Sequence, residues 1–483
     1  MTNYLNLNIK DINELLIKKE IKPIDLVEEA FFKIEKNNLN AYITLNKEEA
    51  RKKALELENK EVDNLFFGIP IAIKDNIVTE GILTTAASKM LSNFIPTYDA
   101  TVMKKVNEKN MIVIGKTNMD EFAMGSTGET SYYGPTLNPH NKSKVPGGSS
   151  SGSAATVSAR EVVLSLGTDT GGSVRQPSSF CGVVGMKPTY GRVSRYGVIS
   201  FASSLDQVGP ITKNVFENAL LLETISGKDE NDLTSFDKDN NFTSDLSKDV
   251  SNFKVAIPNF YVSDAVDEDV KNKVLDVIKL LQNNNVKVDF VNINHIDYAV
   301  CLYQTIALAE ASSNLARYDG IRYGYISSKF DDLESLYKNT RSEGFGNEVK
   351  RRIMIGSYVL SGKNAHIYYE KALKIRGELT SNMKNVLKEY DFIVGPTTTS
   401  VAYDLNSKKR DYLSSFTDDL LTIPANMSGL PALSMPIGFD KNNLPIGLHI
   451  IADSYMESKI YNLAYFIEND LKLKLDIVGD ENV

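Results

Sequence analysis

Short apolar runs alternate along the chain with stretches in which apolar side chains recur every three or four positions. Residues 66–76 form one such run, punctuated by Gly-Ile-Pro, and residues 162–166 form another. Each has the length of a buried strand, and the first ends at Lys74-Asp75-Asn76. Apolar residues at helical spacing over 102–106 precede a further apolar run at 111–114. This alternation predicts an α/β fold with a mixed or parallel β-sheet covered by helices.

The beginning and the middle of the chain have different patterns. Residues 1–60 predict an N-terminal helical segment, because apolar residues follow Pro23 at helical spacing. Residues 61–483 are expected to form the main domain, with an exposed connection near 227–249 that is rich in Asp, Asn, Ser and Lys. The elements predicted after this connection are strands at 253–257, 286–290, 392–394 and 432–435, a helix over 270–281 and mainly helical structure over 306–387.

Composition narrows the functional class. The chain has 483 residues, 42% of them apolar, and a formal net charge of −8, so no domain-wide basic surface for nucleic acid is indicated. Cys181 and Cys301 lack the spacing of a disulfide framework or a zinc site. Residues 1–10 are polar, and no run approaches the roughly 18 apolar residues of a membrane span. We therefore expect a cytoplasmic protein without a metal of its own.

Three segments carry candidate chemistry: Lys74 in IAIKDN, Ser149 in PGGSSSGSAA and Ser173 in GTDTGGSVRQPS. Each alone is weak, because lysines are usually solvated and Gly/Ser-rich segments are usually turns or linkers. Together they indicate nucleophilic catalysis, since a serine needs an adjacent base. The four histidines lie outside any nucleophile-like segment, and a lysine can replace them where burial keeps it neutral.

A loop of small residues precedes the second serine. Thr170, Gly171 and Gly172 come directly before Ser173. Glycine lets the backbone approach a ligand closely, so successive N–H groups here can point at one oxygen. The sequence therefore predicts an oxyanion hole beside the nucleophile.

Residues 146–188, PGGSSSGSAATVSAREVVLSLGTDTGGSVRQPSSFCGVVGMKP, resemble the signature of the amidase signature hydrolases, and the similarity extends over nearly the whole chain. The separations of 75 positions from Lys74 to Ser149 and 24 from Ser149 to Ser173 match that family's pattern. The resemblance implies the amidase signature fold, an α/β fold with a central mixed β-sheet covered by helices on both faces. It also implies that Lys74 is the base, that Ser149 follows a cis peptide bond and bridges, and that Ser173 attacks the amide.

Three further segments resemble the glutaminase subunits of tRNA-dependent amidotransferases: 310–323, 340–356 and 421–430. This resemblance implies glutamine as substrate, with Arg352 and Asp419 holding its α-carboxylate and α-amino group and Tyr303 beside them. Arginine suits a carboxylate and aspartate suits an ammonium group. The resemblance also implies two partners: a kinase and tRNA-binding subunit, which uses ATP and Mg²⁺, and a small third subunit. The tRNA is expected to be contacted mainly through the kinase partner.

Some positions depart from the family's pattern, and other functions stay open. Ser151 stands where glycine is common, a second proline is missing after Pro396, and His449 replaces a more usual glutamine. A stand-alone amidase acting on small amides is the main alternative, and a non-catalytic protein of the same fold is another. A phosphate loop at residues 115–117 is disfavoured, because Asn110 occupies the position of its first glycine.

Overall fold

A large mixed β-sheet organises the chain in the computed structural model, which describes residues 3–244, 246–247, 249–407 and 418–473. Its strands are β1 (Tyr42–Leu45), β2 (Pro70–Lys74), β3 (Ile112–Thr117), β4 (Leu164–Asp169), β5 (Val184–Lys187), β6 (Gln207–Thr212), β7 (Lys254–Pro258), β8 (Lys287–Val291), β9 (Phe392–Pro396), β10 (Ala432–Phe439) and β11 (Pro445–Ile451). They lie in the order β1-β3-β2-β4-β6-β5-β10-β11-β9-β7-β8. Parallel and antiparallel pairs both occur, which confirms the predicted mixed sheet.

Helices flank the sheet, as the periodic apolar pattern predicts. They are α1 (Ile9–Ile17), α2 (Pro23–Asn37), α3 (Lys47–Leu57), α4 (Thr101–Glu108), α5 (Ser151–Ser158), α6 (Arg175–Cys181), α7 (Val215–Ile225), α8 (Glu268–Asn283), α9 (Ala299–Asn314), α10 (Leu333–Gly344), α11 (Asn347–Leu360), α12 (Glu370–Glu389), α13 (Ile423–Met427) and α14 (Glu457–Leu471). A π-helical turn at Ala365–Tyr369 joins α11 to α12. No helix in the described ranges is long and apolar enough to span a membrane.

The register of the central strands brings the candidate reacting segments to one edge of the sheet. Strand β2 runs parallel to β4, with Ile71 opposite Leu164, so their carboxyl ends, at Lys74 and Asp169, lie at the same edge. Strand β6 runs antiparallel to β4 and begins there, with Gln207 opposite Asp169. All five residues of β2 are buried, so Lys74 reaches this edge from inside the core.

The N-terminal segment contains one element that the sequence pattern did not predict. Residues 1–60 were expected to be helical, and α1, α2 and α3 are present, but β1 lies between α2 and α3. It pairs antiparallel with β3, with Leu45 opposite Gly115. The strand was missed because it has only four residues and is half-buried throughout. Of the expected connection at 227–249, residues 245 and 248 lie outside the described residues.

Candidate active site

Lys74 and Ser149 meet at the edge of the sheet. Lys74 Nζ lies 2.8 Å from Ser149 Oγ and 2.8 Å from Ser150 Oγ, and 3.2 Å from the carbonyl oxygen of Thr168 near the end of β4. The Gly148–Ser149 peptide bond is cis, as the family resemblance implies. The side-chain oxygen of Gln176 accepts the N–H of Gly148 at 2.9 Å and holds this loop against α6.

Burial gives Lys74 the properties of a base. The side chain is fully buried, and this desolvation lowers its pKa from 10.5 to about 7, although the carboxylates of Asp120, Asp169 and Asp206 act in the opposite direction. A lysine with this pKa exists partly as the neutral amine near neutral pH. Its lone pair can then accept the proton of a neighbouring hydroxyl group, and the Ser149 hydroxyl is within reach.

The pH dependence of turnover follows from this pKa. We expect kcat/KM for an amide substrate to rise as the pH increases through about 7 and to fall below it, because only neutral Lys74 can accept a proton. An unperturbed lysine would instead place the rise near 10.5. The measurement is an ammonia-release assay across this pH range. A profile without an inflection near neutrality would exclude Lys74 with this pKa as the base.

Ser173 lies in the turn between β4 and α6, next to the loop that contains Ser149 and Ser150. Its carbonyl oxygen accepts the N–H of Ser150 at 3.1 Å, which ties the two loops together. The residue is 6% exposed, so it can be reached from solvent while its surroundings are buried. Among the described residues the Ser173 side chain makes no hydrogen bond, so the Ser149–Ser173 bridge stays a prediction.

A buried ion pair lies behind Ser173 and fixes the start of α6. Arg175 donates from Nε and Nη2 to the two oxygens of Asp169, both at 3.0 Å, and the N–H of Val174 reaches the same carboxylate at 3.1 Å. Burial alone would raise the pKa of Asp169, but Arg175 holds it well below its usual range. Asn426 donates to Asp169 at 2.8 Å and so ties α13 to this pair.

His449 completes this cluster. Arg175 Nη1 lies 2.8 Å from His449 Nε2. Because arginine can only donate, Nε2 must accept, and the ring proton is therefore on Nδ1. Burial, together with the charge of Arg175, lowers the pKa of His449 well below its usual value, so the ring is neutral. His449, which stands where the family more often has glutamine, thus provides a hydrogen-bond acceptor for Arg175.

The loop of small residues at 170–172, here called the glycine loop, has no room for a side chain at either of its two glycines. A Cβ at Gly171 would lie 2.8 Å from Tyr303 Cζ, and one at Gly172 would overlap Thr422 Oγ1. Gly172 also has a φ of +145°, which favours glycine. Thr422 Oγ1 donates to the carbonyl oxygen of Gly171 at 2.7 Å, which holds the loop in place. The backbone here can therefore approach a ligand closely.

Two of the three residues expected to bind glutamine lie directly against the same loop. Tyr303 on α9 contacts the position of Gly171, and a Cβ at Gly172 would lie 3.0 Å from Asp419 Oδ1. That oxygen is shielded from solvent and has no hydrogen-bond partner among the described residues. Burial, and then the neighbouring Asp418, raise the pKa of Asp419 well above its usual value, so an incoming cation would be stabilising there.

Arg352 on α11 is connected to Tyr303 through the aromatic ring of Phe201. Its Nε donates to Glu348 at 2.7 Å, and its guanidinium carbon lies 5.6 Å from the centre of the Phe201 ring. The Phe201 ring in turn lies 6.4 Å from the Tyr303 ring, edge to face. The Arg352 side chain keeps 9% of its surface exposed. The structure therefore places Tyr303 and Asp419 against the glycine loop and Arg352 one aromatic ring further away, and their binding of glutamine stays a prediction.

Sequence reasoning missed several residues that support this site. Ser150 is a second partner of Lys74, Asp169 and Arg175 form the buried pair, and Asp206 and Phe201 lie beside the glycine loop. Asp169 and Arg175 lie within residues 146–188, which resemble the family signature. Their positions on either side of Ser173 could have indicated that they support the site. Asp206 and Phe201 follow β5 and had no such signal.

Two other positions are explained by packing. Ser151, where glycine is common, begins α5 with an ordinary negative φ, and its hydroxyl lies 3.1 Å from Thr136 Oγ1. Lys116 is fully buried on β3 and donates to the Ile77 carbonyl at 2.5 Å and to Thr84 Oγ1 at 2.8 Å. These contacts occupy the Lys116 ammonium inside the core, which argues against a phosphate loop at residues 115–117.

Comparison with known proteins agrees with this geometry. The sequence profile of the Amidase family matches residues 25–460, and the chain belongs to this family, the amidase signature enzymes. It is 51% identical over 468 residues to the A subunit of glutamyl-tRNA(Gln) amidotransferase from Listeria welshimeri, covering 96% of this chain and 97% of the relative. The corresponding protein of Bacillus cytotoxicus is 50% identical over 467 residues, covering 95% and 96%.

Solved structures give the same result. The crystal structure of the A subunit of glutamyl-tRNA(Gln) amidotransferase from Thermotoga maritima is 43% identical, with a TM-score of 0.81 over 97% of this chain and 95% of that one. Peptide amidase from Stenotrophomonas maltophilia has a TM-score of 0.85 at 25% identity, over 98% of both chains. The predicted amidase signature fold is confirmed.

Proposed function

We propose that this chain is the glutaminase subunit of a tRNA-dependent amidotransferase, supplying the ammonia that converts Glu-tRNA(Gln) to Gln-tRNA(Gln). The observation that carries the proposal is the buried Lys74, hydrogen-bonded to Ser149 and with a pKa near neutrality, beside the loop that ends at Ser173. The high identity to the amidotransferase relatives supports this function over that of a stand-alone amidase.

The reaction would proceed through an acyl-enzyme. Ser173 Oγ attacks the side-chain carbonyl carbon of glutamine, and its proton passes through Ser149 to neutral Lys74. The tetrahedral oxyanion is stabilised by backbone N–H groups of residues 170–172. Return of the proton to the leaving nitrogen releases ammonia and leaves a glutamyl ester on Ser173. Water then attacks this ester with the same base, giving glutamate and free Ser173.

The polar groups around the glycine loop would select glutamine among amides. Arg352 can hold the α-carboxylate through charged hydrogen bonds, and the unpaired oxygen of Asp419 can accept from the α-ammonium. The incoming ammonium would keep Asp419 ionised, which offsets the cost of its burial. Tyr303 would line the same side of the substrate.

The second half of the reaction belongs to partners. A kinase and tRNA-binding subunit would activate the glutamyl end of the tRNA with ATP and Mg²⁺ and accept the ammonia, and a small third subunit would join the two larger chains. The tRNA would be held mainly by the kinase partner, which agrees with the net charge of −8 on this chain. The place of action would be the cytoplasm, and this chain would need no cofactor of its own.

Removing the proposed recognition groups tests the choice of substrate. We expect Arg352→Ala to lower kcat/KM for glutamine by about 10- to 150-fold, the loss of charged hydrogen bonds worth roughly 1.5–3 kcal/mol. Hydrolysis of a plain amide without an α-carboxylate should change little. Asp419→Ala should give the same pattern through the α-ammonium. The measurement is kcat/KM for glutamine and for one plain amide, in the wild type and both variants.

Arg351→Ala is the matched control, because Arg351 precedes Arg352 on α11 and also pairs with Glu348, at 2.5 Å. It should retain glutamine hydrolysis. A stand-alone amidase would behave differently from the start, with glutamine a poor substrate of the wild type and plain amides good ones. Equal losses on both substrates in Arg352→Ala and Asp419→Ala would show that these two residues are structural.

A further inference from the structure

Asp206, a buried carboxylate beside the glycine loop, acts on Lys74 through its charge but has no contact role in the proposed chemistry. Asp206 precedes β6 and is 4% exposed. Because Gln207 lies opposite Asp169 in the ladder, the next pair outward brings Asp206 opposite Thr170. Thr170 Oγ1 donates to Asp206 Oδ1 at 2.7 Å. One oxygen of this carboxylate therefore holds Thr170, the first residue of the glycine loop that is predicted to form the oxyanion hole.

The other oxygen of Asp206 holds a different segment. Asp206 Oδ2 accepts the backbone N–H of Phe201 at 2.9 Å and of Ala202 at 3.1 Å. Phe201 is the residue whose ring lies against both the Arg352 guanidinium and Tyr303. The carboxylate thus fixes the backbone of the ring that supports two of the proposed glutamine-binding side chains.

The chemistry of Asp206 suits this double attachment. No ion pair to it is present among the described residues, and its three donors are neutral. Desolvation raises its pKa to about 6. A buried carboxylate held only by neutral donors is costly, and a carboxylate is acceptor-only on both oxygens. A carboxylate therefore accepts from both segments at once, whereas an apolar side chain at this position would accept from neither.

We propose that Asp206 is a positioning residue that couples the two halves of the site. It fixes the position of the glycine loop through Thr170 and the position of the proposed glutamine-binding side chains through Phe201. The role at Phe201 rests on the proposed glutaminase function, whereas the role at Thr170 applies to hydrolysis of any amide. The glycine loop is also held by a second hydrogen bond, from Thr422 Oγ1 to the carbonyl oxygen of Gly171. Loss of Asp206 should therefore displace the loop without unfolding it.

A double-mutant cycle on the full chain, with the partners that copurify with it, tests the Thr170 contact. Asp206→Ala and Thr170→Val should each lower kcat for a plain amide, Asp206→Ala by about 100-fold, the loss expected from a displacement of about 1 Å. If Asp206 acts through Thr170, the double variant should be no slower than Asp206→Ala alone. Losses that multiply would show that the two residues act independently and would overturn the proposal.

A KM measurement on the same variants tests the Phe201 contact. Phe201→Leu should raise KM for glutamine by about 2- to 30-fold, the range for loss of one cation–π contact. Asp206→Ala should raise it as well, and adding Phe201→Leu to Asp206→Ala should raise it no further. An unchanged glutamine KM in Asp206→Ala would overturn the coupling. If wild type does not prefer glutamine, the proposed function fails, but the Thr170 cycle still decides the first contact.

Asp229→Ala is the matched control, because Asp229 also accepts from a threonine hydroxyl, Thr101 Oγ1 at 2.5 Å, and from a backbone N–H, that of Asn231 at 3.0 Å. Kinetic constants of the folded Asp229→Ala protein should equal those of the wild type. Equal kinetic losses in Asp229→Ala and Asp206→Ala would mean that a general loss of rigidity, and not the position of Asp206, controls turnover. If Asp206→Ala does not fold, Asp206→Leu replaces it in both cycles, because leucine is close to aspartate in shape and accepts from neither segment.

Discussion

Ser173→Ala is expected to lower glutamine and amide hydrolysis by a factor on the order of 10⁴–10⁶, because Ser173 is the proposed nucleophile and alanine cannot form the acyl-enzyme. The fold should survive, since the Ser173 hydroxyl makes no hydrogen bond among the described residues and its backbone contact to Ser150 is kept. Two measurements check this. Ammonia release should vanish, and a glutamine-like electrophile should label Ser173 in the wild type and nothing in the variant.

Ser153→Ala is a suitable control, because Ser153 is a fully buried serine of α5, close in sequence to Ser149, and is hydrogen-bonded to Thr117 at 2.7 Å. It should remain active and should still be labelled at Ser173. Attachment of the label to Ser149 would reverse the assigned roles of the two serines.

Lys74→Arg is expected to be as inactive as Lys74→Met, each losing about 10²–10⁴-fold or more in kcat. Arginine keeps the charge but cannot give up its proton near neutral pH, so it cannot serve as the base. The neutral methionine cannot accept a proton either. Steady-state rates of ammonia release, together with thermal unfolding of both variants, provide the measurement.

The chain contains its own control for a buried lysine. Lys116 lies on the neighbouring strand β3, is also fully buried, and has a pKa that burial lowers to about 8. Lys116→Met should cost stability, because Thr84 and the Ile77 carbonyl lose a donor, but the folded fraction should keep its turnover. If Lys74→Arg retained wild-type rates, Lys74 would act only as a cation, and the base would be another group.

Local pattern indicated the candidate reacting residues, and the family resemblance gave their roles, but neither indicated the residues that hold them. Lys74 could be predicted because an apolar run ends at it, and Ser173 because small residues precede it. The partners of Arg175 could not be predicted, because Thr422 and Asn426 lie 247 and 251 positions away in the sequence. Contacts of this kind depend on strand order and register, which a single sequence does not specify.

Long-range pairing also explains the other residues that were missed. Asp206 reaches Thr170 only because β6 pairs antiparallel with β4, and nothing in the local sequence indicates that pairing. The short strand β1 was missed because four half-buried residues have no clear period. For Tyr303, Arg352 and Asp419, the residues proposed to bind glutamine, the family resemblance was the main signal, since one arginine or aspartate alone is more often part of a surface ion pair.

The long-range contacts of Arg175 have a consequence for biosynthesis. Its guanidinium group is completed by Thr422, Asn426 and His449, and β10, which follows α13, is the strand that pairs with β5. A nascent chain that ends before residue 422 holds Lys74, Ser149 and Ser173 but none of these three acceptors, and one that ends before residue 449 still lacks the imidazole. A truncated translation product of either kind therefore contains the candidate reacting residues without the complete support of Arg175 beside them.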